Sequence, residues 1–182
     1  MQLNQVNALV TGGVSGLGLA VTKHILAGGG KAVMLDVNDE VGAAAEAETG
    51  AKYISTDVTS EQGVIDSVAQ AADINGGLNV CVNCAGIIGA GRVLGREAPM
   101  PLDFFSTTIN VNLIGSFNVS KAAANVMQHN EPLDDGEKGV IINTASVAAY
   151  EGQIGQAAYS ASKGGLVAMT LPMARELARF GI

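Results

Sequence analysis

Tyr159 and Lys163 stand four residues apart in Tyr159-Ser160-Ala161-Ser162-Lys163. In a helix that spacing puts both side chains on one face. A phenol, with a reference pKa of about 10, is a weak proton acceptor at neutral pH; a neighbouring ammonium favours the phenolate and brings it toward a useful range. Lys163 can supply that charge. Ser146 lies 13 residues before Tyr159, at the end of an apolar run that reads as a strand, where its hydroxyl could hold a carbonyl or alcohol oxygen beside the phenol. An isolated Tyr-x-x-x-Lys pair is most often a packed aromatic beside a surface lysine, so the weight of this one depends on what else the chain carries.

A second group of residues suits an anionic nucleotide. Thr11-Gly12-Gly13-Val14-Ser15-Gly16-Leu17-Gly18 joins the first apolar run to a helix-compatible stretch. Such a turn leaves backbone N–H groups free at a helix N-terminus, where the helix dipole also favours a pyrophosphate. Gly12, Ser15, Gly16, Leu17 and Gly18 are the candidate cradle. The spacing is G-x-x-x-G-x-G rather than G-x-G-x-x-G, so a tight turn in an ordinary α/β protein stays open as the alternative. Asp36 comes 18 positions after Gly18, close to the offset at which a carboxylate meets the adenosine ribose. A carboxylate there accepts from ribose hydroxyls and repels a 2′-phosphate, which points to NAD over NADP. Its alternative role is a helix cap, which Asn38 could fill instead. Asp57, with Val58 beside it, is placed to meet the adenine; a turn role for Asp57 is equally open.

These residues need a scaffold that brings strand ends together. Short, nearly continuous apolar runs recur at Ala8 to Val10, Ala32 to Leu35, Tyr53 to Ser55, Leu78 to Val82 and Val140 to Ile142. They alternate with helix-compatible stretches near 16–28, 39–48, 60–73, 103–128 and 155–180. That order predicts an α/β fold: one Rossmann-type, doubly wound parallel sheet covered by helices on both faces, in a single domain over 1–182. The composition, 48% hydrophobic and 15% charged, fits a chain with a large interior. No apolar run is long enough for a membrane span. A net charge of -7 with no basic cluster argues against nucleic acid as a partner. Two cysteines, Cys81 and Cys84, exclude a disulfide scaffold, and with no signal peptide at the start the expectation is a cytoplasmic protein. Their C-x-x-C spacing lacks a second pair to complete a metal site, so no metal is expected. His24 and His129 read as surface or packing residues, and Pro172 should kink the last helix or remove one of its hydrogen bonds.

The composite of phosphate turn, Asp36, strand-end Ser146, Tyr159 and Lys163 resembles the short-chain dehydrogenase/reductase family along essentially the whole chain. The resemblance implies further roles. Asn83-Cys84-Ala85-Gly86 is similar to the family's N-N-A-G segment, with Cys84 in place of the second Asn; Asn83, Ala85 and Gly86 would steady the central sheet and lie against the cofactor. Asn112, in Asn110-Val111-Asn112-Leu113-Ile114-Gly115, matches the asparagine that helps hold a water in the family's proton relay; Asn110 is the weaker alternative. Lys163 would also bind the nicotinamide ribose, and Tyr159 would be the acid/base in hydride exchange between a secondary alcohol and NAD. Gly139 to Gln153 and Gln156 to Gly165 look most like the 3-hydroxyacyl-CoA dehydrogenase type 2 branch, which also carries an extended segment comparable to Asn130 to Lys138. The implied substrates are 3-hydroxyacyl-CoA thioesters, with hydroxysteroids and other alcohols as relatives. A homodimer or homotetramer is implied through the fourth and last helical regions, where Ala157, Ala161, Gly164 or Gly165, and Ala168 form a small-residue stripe; the same stripe could instead pack on the sheet. Complete family members continue past Phe180-Gly181-Ile182 into further strands and a substrate lid, so the chain is expected to be a truncated form. Two other activities stay open: a 3-oxoacyl-carrier-protein reductase, whose usual NADPH Asp36 disfavours, and an NAD-binding protein without turnover.

Overall fold

The strands form where apolar residues are buried from both sides. In the computed structural model, which describes residues 1–182, β1 (Asn7–Thr11), β2 (Lys31–Asp36), β3 (Lys52–Ser55), β4 (Val80–Asn83) and β5 (Val140–Asn143) make one all-parallel sheet in the order β3-β2-β1-β4-β5. Alternate residues of the central strands point to opposite faces. Ala8, Val10, Ala32 and Met34 pack toward Ile25 of α1 (Gly16–Ala27) and Ala45 of α2 (Asp39–Thr49). Leu9, Val33, Leu35 and Cys81 pack toward Val64 and Val68 of α3 (Glu61–Asn75) and Val119 and Met127 of α5 (Gly115–Met127). Leu9, Val33, Met34 and Leu35 have no exposed surface, so helices seal both faces over β1 and β2, as parallel sheets require, whereas Ile142 on the edge strand β5 is exposed.

Local signals set the helix ends. Asn38 accepts from the Val41 N–H at 3.1 Å and Ser60 from the Gly63 N–H at 3.3 Å, capping α2 and α3. The anticipated helix over 103–128 is two α-helices around a wide turn: α4 (Leu102–Ile109), a π-helical segment at Asn110–Ile114, then α5. Hydrophobic periodicity does not register one extra residue per turn, and π-turns cluster at functional positions. The fourth strand is also shifted, to Val80–Asn83; Leu78 is buried but precedes the ladder. The last helix, α6 (Ala157–Leu177), runs through Pro172 and ends in a 3₁₀ turn at Ala178–Phe180.

Sheet register decides where the chemistry sits. Leu35, Thr11, Asn83 and Asn143 lie in one row across β2, β1, β4 and β5. The residues that follow (Asp36, Gly12, Cys84 and Thr144) therefore share one rim, at the carboxyl ends of the strands. Strand order reverses between β1 and β4, and open parallel sheets bind ligands in the crevice at such a switch point. The Asn130 to Lys138 segment lies at the opposite rim. Asn130 Nδ2 donates to the Leu78 and Lys138 carbonyls at 2.8 and 2.9 Å, and the Met1 ammonium pairs with Glu137 at 3.3 Å. No helix is long and apolar enough to cross a membrane.

Candidate active site

The turn after β1 is built by close approach. Gly12 has φ +61°, and a Cβ there would sit 2.8 Å from the Ala85 nitrogen. Thr11 Oγ1 accepts from the N–H groups of Cys84 at 3.2 Å and Ala85 at 3.1 Å, tying this turn to the loop after β4. At Gly18, a Cβ would overlap the Gly12 carbonyl oxygen, so the first turn of α1 lies against the strand end. Ser15 is the N-cap residue, yet its hydroxyl makes no capping bond, and Ser15, Gly16 and Leu17 are exposed. The N-terminal amides of α1 therefore open onto the crevice with the positive end of the helix dipole.

Next to this turn, Asp36 ends β2, half-buried. Its Oδ1 accepts from the Asn38 N–H at 3.2 Å, while Asn38 itself caps α2. The second Asp36 oxygen has no protein partner. Asp57 performs a turn role: one carboxylate oxygen accepts from the Thr59 N–H at 2.9 Å and the Thr59 hydroxyl at 2.8 Å. The other oxygen is free, so the turn role leaves a face for a ligand. Val58 is buried against Gly115, and the buried Asn118 amide donates to the Val58 carbonyl at 3.1 Å. Sequence reasoning missed Asn118; an amide on the apolar face of a helix was its only signal.

At the other end of the crevice, Lys163 is 6% exposed, and its ammonium donates to the Thr144 carbonyl at 2.6 Å. It lies 5.8 Å from the centre of the Tyr159 ring. A Cβ on Gly86 would come within 3.8 Å of Lys163 Nζ and 3.2 Å of Asn112 Oδ1, so Gly86, Asn112, Tyr159 and Lys163 meet at one place. No carboxylate pairs with Lys163. Burial pushes its pKa below the usual lysine range, and the nearby Cys84 acts in the opposite direction. Asn112, wholly buried in the π-turn, accepts from the Ile87 N–H at 2.8 Å and donates to the Ile87 carbonyl at 2.9 Å and the Ser162 hydroxyl at 3.0 Å. Ser146 caps the 3₁₀ turn Val147–Ala149, accepting from the Ala148 N–H at 3.1 Å, and Gly164 of α6 faces the Ala149 carbonyl.

Asn83 holds the strands beneath this cluster. Its amide donates to Ser120 Oγ and Asn143 Oδ1, both at 2.9 Å, which joins β4, α5 and β5. Cys84 accepts from the Thr144 hydroxyl at 3.4 Å. Cys81 points into the core, where burial pushes its thiol pKa up to about 12. The thiolate is the reactive form. Iodoacetamide is therefore expected to leave Cys81 unmodified in the folded protein at neutral pH and to alkylate it in denaturant, as read by peptide mass. His24 and His129 are exposed, away from the cluster. The small-residue stripe on α6 divides: Gly165 packs on Leu113, while Ala157, Ala161 and Ala168 face outward. Thr11, Ser116, Thr144 and Ser162 were also missed in the sequence, because hydroxyls that bond backbone groups or, for Thr144, the Cys84 sulfur leave no spacing pattern.

The sequence profile of the short chain dehydrogenase family matches residues 6–182. The chain belongs to the short-chain dehydrogenase family. Its sequence is 50% identical over 179 residues to 3-hydroxyacyl-CoA dehydrogenase type-2 of Bos taurus, spanning 96% of this chain and 69% of that protein. Its fold superposes on the crystal structure of 3-hydroxyacyl-CoA dehydrogenase type-2 from Mycobacterium avium with a TM-score of 0.88 at 39% identity, covering 96% of this chain and 70% of that one. NAD+-bound xylitol dehydrogenase superposes with a TM-score of 0.84 at 34% identity, over 96% and 66% of the two chains. As a short-chain dehydrogenase the protein is an oxidoreductase acting on hydroxyl groups.

Proposed function

We propose that this short-chain dehydrogenase uses NAD to oxidise a secondary alcohol, with a 3-hydroxyacyl-CoA as its substrate class, and reduces the matching ketone in reverse. The observation that carries the reading is the Lys163 ammonium: buried, without a carboxylate, and held between Thr144, Gly86 and the Tyr159 ring. An ammonium with spare donors in a buried position calls for a polar partner. The ribose of a bound nicotinamide nucleotide and the Tyr159 phenolate both meet that need.

The residues present fit such a nucleotide. Gly12, Ser15, Gly16, Leu17 and Gly18 would hold the pyrophosphate at the open end of α1, and Asp36 the adenosine ribose through its free oxygen. Asp57 and Val58 would meet the adenine; Asn83, Ala85 and Gly86 would form the floor along β4. A nicotinamide held there would supply hydride exchange with the carbinol carbon of the substrate, in either direction. Ser146 Oγ would orient the substrate oxygen, and Tyr159 Oη would take its proton. Lys163 would hold its positive charge beside that phenol, and Asn112 in the π-turn would keep a proton path to Lys163 in place. The 50% identity to a 3-hydroxyacyl-CoA dehydrogenase supports the substrate class. Exposed Phe117 on α5 and Leu171, Ala161 and Ala168 on α6 support a homodimer or homotetramer through those helices.

Asp36 supports NAD over NADP, and so weighs against a carrier-protein reductase using NADPH. A hydrogen bond to a charged group contributes about 1.5–3 kcal/mol, or roughly 10–100-fold in affinity. Asp36→Ala is therefore expected to raise the NAD Kd by about that factor while changing the NADP Kd little or lowering it. Titrating both nucleotides by fluorescence, followed by turnover with 3-hydroxybutyryl-CoA, tests the reading. Tighter binding of NADP than NAD to the parent protein would overturn it.

A further inference from the structure

We propose that Ser162 is a positioning residue that locks the Asn112 amide to the helix carrying Tyr159 and Lys163; the inference rests on the catalytic reading above. Ser162 has no exposed surface. Its hydroxyl donates to the Tyr159 carbonyl at 2.7 Å and accepts from Asn112 Nδ2 at 3.0 Å. The direction of each bond is forced. The Ile87 N–H can only donate and the Ile87 carbonyl can only accept, so their two bonds to Asn112 fix which end of the amide is oxygen and which is nitrogen. Asn112 therefore presents an N–H to Ser162, and the one Ser162 proton must go to Tyr159. The Ser116 hydroxyl meanwhile donates to the Asn112 carbonyl at 2.8 Å and holds the backbone of the π-turn.

The chain of bonds from Ile87 through Asn112 and Ser162 to Tyr159 joins three segments that nothing else ties in this way: the loop after β4, the π-turn and α6. Gly86, next to Ile87, lies against Lys163 Nζ. A slip of α6 past the π-turn would carry Tyr159 Oη and Lys163 Nζ together away from the Gly86 floor. Packing brings the two segments close, with Leu113 seated where a Cβ on Gly165 would lie 2.6 Å from it, but apolar packing is non-directional. Ser162 supplies the directional contact. Ser-to-backbone bonds of the i−3 kind also tilt a helix locally, which fits a device that sets where Tyr159 projects.

The test compares the parent, Tyr159→Phe, Ser162→Ala and Ser162→Thr in the full chain, with NAD and 3-hydroxybutyryl-CoA. Ser162→Ala is expected to lower kcat by about 10–100-fold, the cost of a misplacement near 1 Å. NAD affinity, measured by titration without substrate, should fall by much less than kcat, because only the Lys163 contact to the ribose is disturbed and the pyrophosphate and adenosine contacts are not. In the protein without cofactor, hydrogen exchange of the Asn112 side-chain amide should quicken, as read by NMR. Ser162→Thr, which keeps the hydroxyl, should recover most of kcat. If Ser162→Ala does not fold, Ser162→Cys carries the same expectations with a weaker acceptor in a similar volume. A hydroxyl that merely fills space would lower the melting temperature alone; an unchanged kcat and Asn112 exchange in either variant overturns the inference. Undiminished turnover in Tyr159→Phe would instead show that the catalytic reading has failed.

Discussion

Tyr159→Phe is expected to lower kcat by about 10²–10⁴-fold, the usual contribution of a positioned acid/base, while NAD affinity changes little. The substitution is clean because of where the phenol sits. Its hydroxyl makes no hydrogen bond to protein; the contacts that place the residue are the Ser162 bond to its carbonyl and the Lys163 ammonium 5.8 Å from its ring, and Phe keeps both. No buried group loses a partner, so the melting temperature should hold. Steady-state kinetics and a nucleotide titration on the same preparation check the two halves. A drop in kcat with a matching loss of NAD affinity would place Tyr159 in binding and not in proton transfer.

Gly18→Ala is expected to have the second large effect, and on the opposite step. A Cβ at this position would overlap the Gly12 carbonyl, with the Gly12 carbon and Gly13 Cα also close. These are backbone atoms that cannot rotate away, so α1 must lift off the turn. Overpacking of this kind costs about 1–3 kcal/mol, which corresponds to a fall in melting temperature of roughly 2–12 °C for a domain of this size. The lifted helix also withdraws its N-terminal amides from the pyrophosphate position. NAD affinity should fall by about 100-fold or more, on the order of two or three hydrogen bonds to an anion. Thermal melting and a nucleotide titration read both. Unchanged affinity would mean that the open end of α1 does not hold the phosphates.

The two variants separate what was legible in the sequence from what was not. Strand and helix order could be read because parallel strands buried on both faces leave continuous apolar runs, such as Ala32 to Leu35, and because turns such as Gly12 to Gly18 interrupt them. The residues of the crevice could be named for a related reason: chemistry needs particular side chains at strand ends, and register then delivers Asp36, Gly12, Cys84 and Thr144 to one rim. The π-turn at Asn110–Ile114 stayed hidden. Its signature is a hydrogen-bond pattern, and the apolar period of Ile109, Leu113 and Phe117 is compatible with a plain helix. Ser162 and Asn118 stayed hidden because their work is to hold the backbone carbonyls of Tyr159 and Val58, partners that only folding brings near. Asp57 shows both limits at once. It was read as either a turn residue or a ligand contact, and its carboxylate spends one oxygen on Thr59 while leaving the other free.

The most direct test of the central claim follows the hydrogen itself. The protein is incubated with NAD and 3-hydroxybutyryl-CoA carrying deuterium at the carbinol carbon, and the nicotinamide product is examined by mass spectrometry. NAD-dependent oxidation of the alcohol predicts one deuterium in each reduced nicotinamide, together with 3-oxobutyryl-CoA in equal amount. Reduced nicotinamide without the label, or none formed above the level of Tyr159→Phe, would contradict it.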